Sequence, residues 1–176
     1  MLTGDEVRAR ESGLTLVEVM VTIAILGVML MVALPGMGDF FDNMQANSDT
    51  NDLFSSLLLA RSEAVTRNSA ITICKIDPAA PVTCANGETW NSGWISFEDL
   101  DRDGVVDPGE EILDTYTGMG DRTAVTAVNY TNIVRYLPSG SVTTNGAFNI
   151  CVNSSVAQNI IVNATGRPRM ADAACP

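Results

Sequence analysis

The chain has 176 residues, with ten lysines and arginines against 21 aspartates and glutamates, no histidine, and a formal net charge of -11. A chain of that length makes one domain with a self-sufficient core, which argues against multi-domain schemes. The acidity argues against broad electrostatic binding to nucleic acid or anionic lipid. Carboxylates concentrate between Glu88 and Asp114, where Arg102 is the one base, whereas from Ile112 onward four arginines stand against three aspartates. An anion-binding site belongs in that last third.

Taken in chain order, the first element is an apolar run, LTLVEVMVTIAILGVMLMVAL, 21 residues from Leu14 to Leu34 with one charge. As a helix it is long enough to cross roughly 30 Å of hydrocarbon. Arg8 and Arg10 precede it, as expected of a cytoplasmic flank. Glu18 falls early in the run, where a carboxylate costs about 3 kcal/mol at membrane depth unless paired, so it marks a function. Gly13 precedes Leu14, and no small-x-small site follows the run, so removal of the whole segment as a signal peptide is not indicated.

The stretch Gly13-Leu14-Thr15-Leu16-Val17-Glu18 resembles the start of type IV pilin precursors, which carry a short charged leader ending in glycine and a hydrophobic helix with an early glutamate. The resemblance implies that residues 1–13 are a leader, that a prepilin peptidase cuts between Gly13 and Leu14, and that it methylates the new amine. It implies further that residues 14–35 form the transmembrane and assembly half of the N-terminal helix. Glu18 would meet the free amine of a neighbouring pilin or pseudopilin, and Pro35 would bend the helix. The implied location is a single span of the inner membrane with the soluble domain in the periplasm, and outside the cell after assembly into a pilus. Opposite charges at low dielectric attract strongly, so the Glu18 pairing is physically sound.

Residues 36–68 read as an amphipathic continuation. Phe54, Leu57, Leu58, Ala64 and Val65 fall near helical spacing, and Asp49, Asp52, Arg61, Glu63 and Arg67 serve the other faces. From residue 69 the chain turns to short β-branched and aromatic runs separated by Gly, Pro, Asn and Asp. Strands are expected at 71–76, 94–97, 111–116, 124–128, 133–136, 148–152 and 159–162. Helix first and strands later predicts an α+β fold, a long N-terminal helix packed against an antiparallel sheet, with residues 69–176 as the β-rich domain. Trp90 and Trp94 are expected in the core or at an interface.

Within the pilin superfamily, Ala60-Arg61-Ser62-Glu63-Ala64-Val65-Thr66-Arg67-Asn68 followed by Ile71-Thr72-Ile73-Cys74 resembles the FimT and GspH group of minor pilins and pseudopilins. Gly93-Trp94-Ile95-Ser96-Phe97 and the closing Gly166-Arg167-Pro168-Arg169 do so too. Two roles follow from this resemblance, a minor pilin of a type IV pilus or a GspH-type pseudopilin of a type II secretion system. The partners are other pilins or pseudopilins.

Four cysteines in a chain carrying an export signal point to disulfides. Of the three connectivities, Cys74–Cys84 with Cys151–Cys175 is favoured; a zinc site would need all four thiolates. The stretch DLDRDGVVDPGE satisfies a calcium-loop template with Asp99, Asp101, Asp103, the Val105 carbonyl, Asp107 and Glu110, and Gly104 at the sharp turn. The competing reading is a solvated acidic turn between strands. Arg167 and Arg169, alternate residues of an extended segment, are expected to present two guanidinium groups on one face, suited to phosphates. In FimT-like proteins such a tail is associated with capture of double-stranded DNA, and that role carries over to these two residues. With no histidine, and with the cysteines committed to disulfides, an enzyme is not expected.

Overall fold

The computed structural model describes residues 15–33, 37–120, 122–153 and 156–175. Gly13, Leu14 and Pro35 lie outside the described residues, so the cleavage site and the bend expected there are not described. The chain divides into two compact units, Met1–Phe40 and Phe41–Pro176.

In the first unit, helix α1 spans Leu16–Ala33. Thr15 caps it, its Oγ1 accepting the Glu18 backbone N–H at 3.3 Å, and the spacing Thr15-x-x-Glu18 is that of a capping box. At about 1.5 Å per residue, 18 residues rise about 27 Å, slightly short of the hydrocarbon core. Among the described residues no helix is long and apolar enough to cross a membrane.

Helix α2 spans Met37–Arg67 and ends at Asn68, whose φ of 53° makes the left-handed turn that closes many helices. Its buried stripe includes Ala46, Leu53, Leu57, Ala60 and Ala64, at the helical spacing that keeps one face inward. Two expectations about its faces are corrected. Leu58 and Val65 are exposed, and Asp49 lies on the inner face. The Asp49 carboxylate is accommodated because its Oδ1 accepts Gln45 Nε2 at 2.8 Å and its Oδ2 accepts Thr123 Oγ1 at 2.5 Å.

Among the described residues nine strands follow: β1 Ile71–Asp77, β2 Ala80–Cys84, β3 Trp94–Glu98, β4 Ile112–Tyr116, β5 Thr123–Val128, β6 Ile133–Tyr136, β7 Gly146–Val152, β8 Val156–Val162 and β9 Pro168–Asp172. They make two antiparallel sheets where one was expected. In the first, the order is β2-β1-β3-β4 and β6 also pairs with β1; in the second, the order is β5-β7-β8-β9. β2 and β9 were not expected, and both are edge strands.

The main core joins Leu53, Leu57 and Ala64 of α2 to Ile71 and Ile73 of β1 and to Phe148 and Ile160 of the second sheet. Trp90 and Trp94 belong to it, Trp94 stacked on Tyr116 with ring centroids 4.2 Å apart. Burial pushes the Tyr116 and Tyr130 phenols up to about 12, so both stay neutral core groups. On the opposite face of β1, Cys74 and Ile76 form a second cluster with Ile95 and Phe97, against which Val106 packs. Cys74 and Cys84 are joined there by a disulfide of 2.01 Å, tying β1 to β2. Cys151 of β7 is joined to Cys175, with Cα atoms 5.7 Å apart, which tethers the chain after β9.

Candidate functional site

Three groups of residues carry the chemistry. The first is α1. From Leu16 to Met31 every side chain is exposed, Gly27 being half-exposed. The helix is apolar all round, apart from Thr22 and Glu18, so no face of it is built for water. The Thr22 hydroxyl donates back to the Val19 carbonyl at 2.9 Å, which removes a polar group from the helix surface. Glu18 is therefore the one ionisable group on an otherwise apolar rod.

The second group lies at the β8–β9 hairpin. Its turn closes with the Gly166 N–H donating to the Asn163 carbonyl at 2.8 Å and the Arg167 N–H to Asn163 Oδ1 at 3.0 Å. Gly166 has φ +74°, and a Cβ there would sit 2.0 Å from the Gly140 carbonyl oxygen, so only glycine fits. Arg167 then lines an open cleft of about 560 Å³ with Ser139, Ser141, Asn163, Thr165 and, from α2, Arg61. Arg61 is held by its Nε donating to the Gly140 carbonyl at 3.0 Å.

Arg167 and Arg169 are both exposed, but they have different settings. Arg169 is a strand residue paired with Ile161, and the neighbouring pairs place Met170 beside Ile160 and Pro168 beside Val162. Since Ile160 and Val162 are buried, strand alternation turns Arg169 to the outer face of the sheet. The basic partner that the cleft gives Arg167 is Arg61, far away in sequence. Sequence reasoning missed it, because Arg61 reads as one more outer-face residue of α2.

The third group is the loop from Asp99 to Glu111 between β3 and β4. Asp99, Asp101 and Asp103 each offer a carboxylate oxygen within 4.8 Å of the others. The carboxylates of Asp107 and Glu110, expected in the same set, are not in that group. Glu110 accepts the Leu100 N–H at 2.8 Å and the Asp107 N–H at 3.0 Å, bracing the loop across its mouth. Val105 donates its N–H to Asp103 Oδ1 at 2.7 Å. The unexpected feature is Asp99, which is fully buried, its Oδ2 accepting Thr72 Oγ1 at 2.5 Å and Arg135 Nε at 3.0 Å. Beside the loop, Arg67 bonds Glu63 and Glu111, each at 2.6 Å, and that hydrogen bond holds the Glu111 carboxyl below its usual range.

An apolar N-terminal helix followed by a second helix packed on two antiparallel sheets is the arrangement that the resemblance to pilins implies. The model of the type II transport protein GspH family matches residues 49–166, and the chain belongs to that family. The prokaryotic N-terminal methylation motif matches residues 8–34. The pilin-like protein PilA1 of Thermus thermophilus is 29% identical over 109 residues, which cover 62% of each chain, so the chain spans less than two thirds of that relative's length. Among solved structures, the type IV minor pilin FimU of Pseudomonas aeruginosa superposes with a TM-score of 0.58 at 20% identity, covering 75% of this chain and 92% of its own. The minor pseudopilin EpsH from the type 2 secretion system of Vibrio cholerae gives 0.52 at 13% identity, covering 73% and 97%. These two likenesses carry the α+β fold. The family is one of structural pilins and pseudopilins and not of enzymes.

Proposed function

We propose that the chain is a FimT-like minor pilin of a type IV pilus, anchored in the inner membrane and drawn into the filament by its N-terminal helix. The observation that carries this reading is α1, an apolar helix exposed from Leu16 to Met31 with one carboxylate, inside a matched N-terminal methylation motif. Such a surface must be covered by lipid before assembly and by other subunits after it. Cleavage between Gly13 and Leu14 supplies the free amine that Glu18 meets, and other pilins supply the neighbours. Pili sheared from cells should contain this chain, detected with an antibody to the β domain. Its absence from them, combined with loss of protein secretion when the gene is deleted, would instead establish a GspH-type pseudopilin.

A second role rests on the tail cleft. Arg167 and Arg61 line one open cleft and Arg169 stands exposed nearby on β9, a set of cations in a strongly acidic chain. Guanidinium groups grip phosphates without sequence preference, which suits capture of double-stranded DNA along a filament. In a mobility-shift titration of the full chain in non-ionic detergent, binding should fall with salt on a log–log slope of about -2 to -3, one unit per phosphate contact. Arg167→Ala/Arg169→Ala should weaken it at least about tenfold, and Arg61→Ala should lower the slope further. Binding that ignores both substitutions would exclude these arginines as the site, and absence of binding would remove DNA capture from the protein's roles and leave assembly standing.

A further inference from the structure

We infer that Asp99, Asp101 and Asp103 form a binding site for a divalent cation of the calcium class, at the start of the loop that joins β3 to β4. One carboxylate oxygen from each lies within 4.8 Å of the other two. Exposed acidic groups gather in this way on many proteins without holding an ion, and Asp101 and Asp103 alone would mean nothing more. Asp99 is different. It is fully buried, and while its Oδ2 is occupied by Thr72 and by Arg135, its Oδ1 is buried with no hydrogen-bond donor among the described residues. A buried carboxylate oxygen left without a donor is costly, and the groups next to it in the cluster are two more carboxylates, which accept and cannot donate. A cation is the partner that satisfies all three at once.

Arg135 does not make that cation redundant. Its Nε donates to Oδ2 at 3.0 Å, while its Nη2, 2.9 Å from the same oxygen, makes no hydrogen bond and leaves Oδ1 unserved, so one positive charge stands against the three carboxylates of the cluster. The remaining loop contacts hold the cluster together without consuming it. Asp101 Oδ1 accepts the Asp103 N–H at 3.2 Å, and Glu110 ties Leu100 to Asp107. Gly104, with φ +82°, makes the turn after Asp103.

The donor set selects the ion. All the ligand atoms are hard carboxylate oxygens, with no nitrogen or sulfur, which favours calcium or magnesium over transition metals. Three carboxylates, one buried and two exposed, suit the larger, more tolerant calcium ion, since magnesium is held by one or two carboxylates in strict octahedral geometry. Two of the three ligands are exposed and water completes the shell, so the affinity belongs in the range of extracellular modules, a Kd on the order of 10⁻⁴ to 10⁻³ M. Because Val106 of the same loop packs on the cluster of Ile95 and Phe97, the ion fastens the loop to the outer face of the first sheet.

The test uses the full chain in non-ionic detergent after chelation. Thermal unfolding is followed in 10 mM CaCl2, in 10 mM MgCl2 and in NaCl of equal ionic strength. Calcium should raise Tm by about 4 °C, magnesium by less and sodium not at all. Asp101→Asn/Asp103→Asn, at two exposed positions whose loss leaves the core intact, should abolish the calcium shift while keeping the calcium-free Tm. Equilibrium dialysis with radioactive calcium should find one ion per chain, lost in the same variant. No calcium-specific shift, an equal shift with magnesium, or a shift that survives in the double variant would each overturn the assignment.

Discussion

Glu18→Ala should remove the chain from filaments, with at least a tenfold drop in the sheared pilus fraction, while its level in the membrane stays the same or rises. The direction of the two effects follows from the cost of the carboxylate. At membrane depth it is unfavourable by about 3 kcal/mol, so alanine makes insertion easier. In the filament proposed above the same carboxylate would face the amine of a neighbouring subunit at low dielectric, and alanine would leave that amine buried with no counter-charge. The local structure makes the test clean. Thr15 Oγ1 caps α1 through the backbone N–H of Glu18, a bond that alanine retains, so the helix is expected to persist in far-UV circular dichroism. Glu18→Gln should behave as alanine does, because the pairing needs charge. If either variant assembles at the parental level, Glu18 serves only to begin the helix, and the assembly role assigned to it is wrong.

The parts of the fold that could be read from the sequence are those where local pattern and burial agree. β1 is a run of β-branched residues with both faces covered, Ile71 and Ile73 in the main core and Cys74 and Ile76 in the second cluster. β2 and β9 were hidden by their composition, since Pro81 lies in one and Pro168 opens the other. Proline reads as a loop, yet an edge strand tolerates it because one side of its ladder is unpaired. The faces of α2 were misread for another reason. Beside Leu53 and Leu57 its inner face carries small residues and hydrogen-bonded carboxylates, Ala46, Asp49 and Ala60 among them, and a hydrophobicity pattern gives these little weight. Thr123, which accommodates Asp49, lies 74 positions away.

The candidate sites divide along the same line. Glu18 and the acidic loop announce themselves because their residues are contiguous and chemically out of place. The Arg61–Arg167 cleft does not, because it exists only where the β8–β9 turn comes against the loop at Gly140. The glycine of Gly166-Arg167-Pro168-Arg169 is fixed by that contact, whatever the arginines bind.

Arg135→Met should be the most destabilising single change in the β domain outside the aromatic core. Asp99 is wholly buried and Arg135 is its ion-pair partner at 2.9 Å, so the substitution leaves a buried charge unmatched, at a cost of about 3–5 kcal/mol. For a domain of this size that corresponds to a fall in Tm of roughly 10–20 °C. A buried pair need not itself be stabilising, because desolvation consumes much of the attraction. Thr72→Val/Asp99→Leu/Arg135→Met, which replaces the whole network by apolar groups, should therefore recover most of the loss. The two variants together separate the worth of the pair from the penalty of breaking it. They also bear on the cation. With Arg135 gone, Asp99 keeps its place beside Asp101 and Asp103 and lacks its own counter-charge, so 10 mM calcium should raise the Tm of Arg135→Met by more than it raises that of the parent. The triple variant, with no carboxylate at position 99, should show little calcium response. Equal calcium shifts in all three proteins would mean that Asp99 neither ligates the ion nor feels it, and that Arg135 is the only cation the buried carboxylate meets.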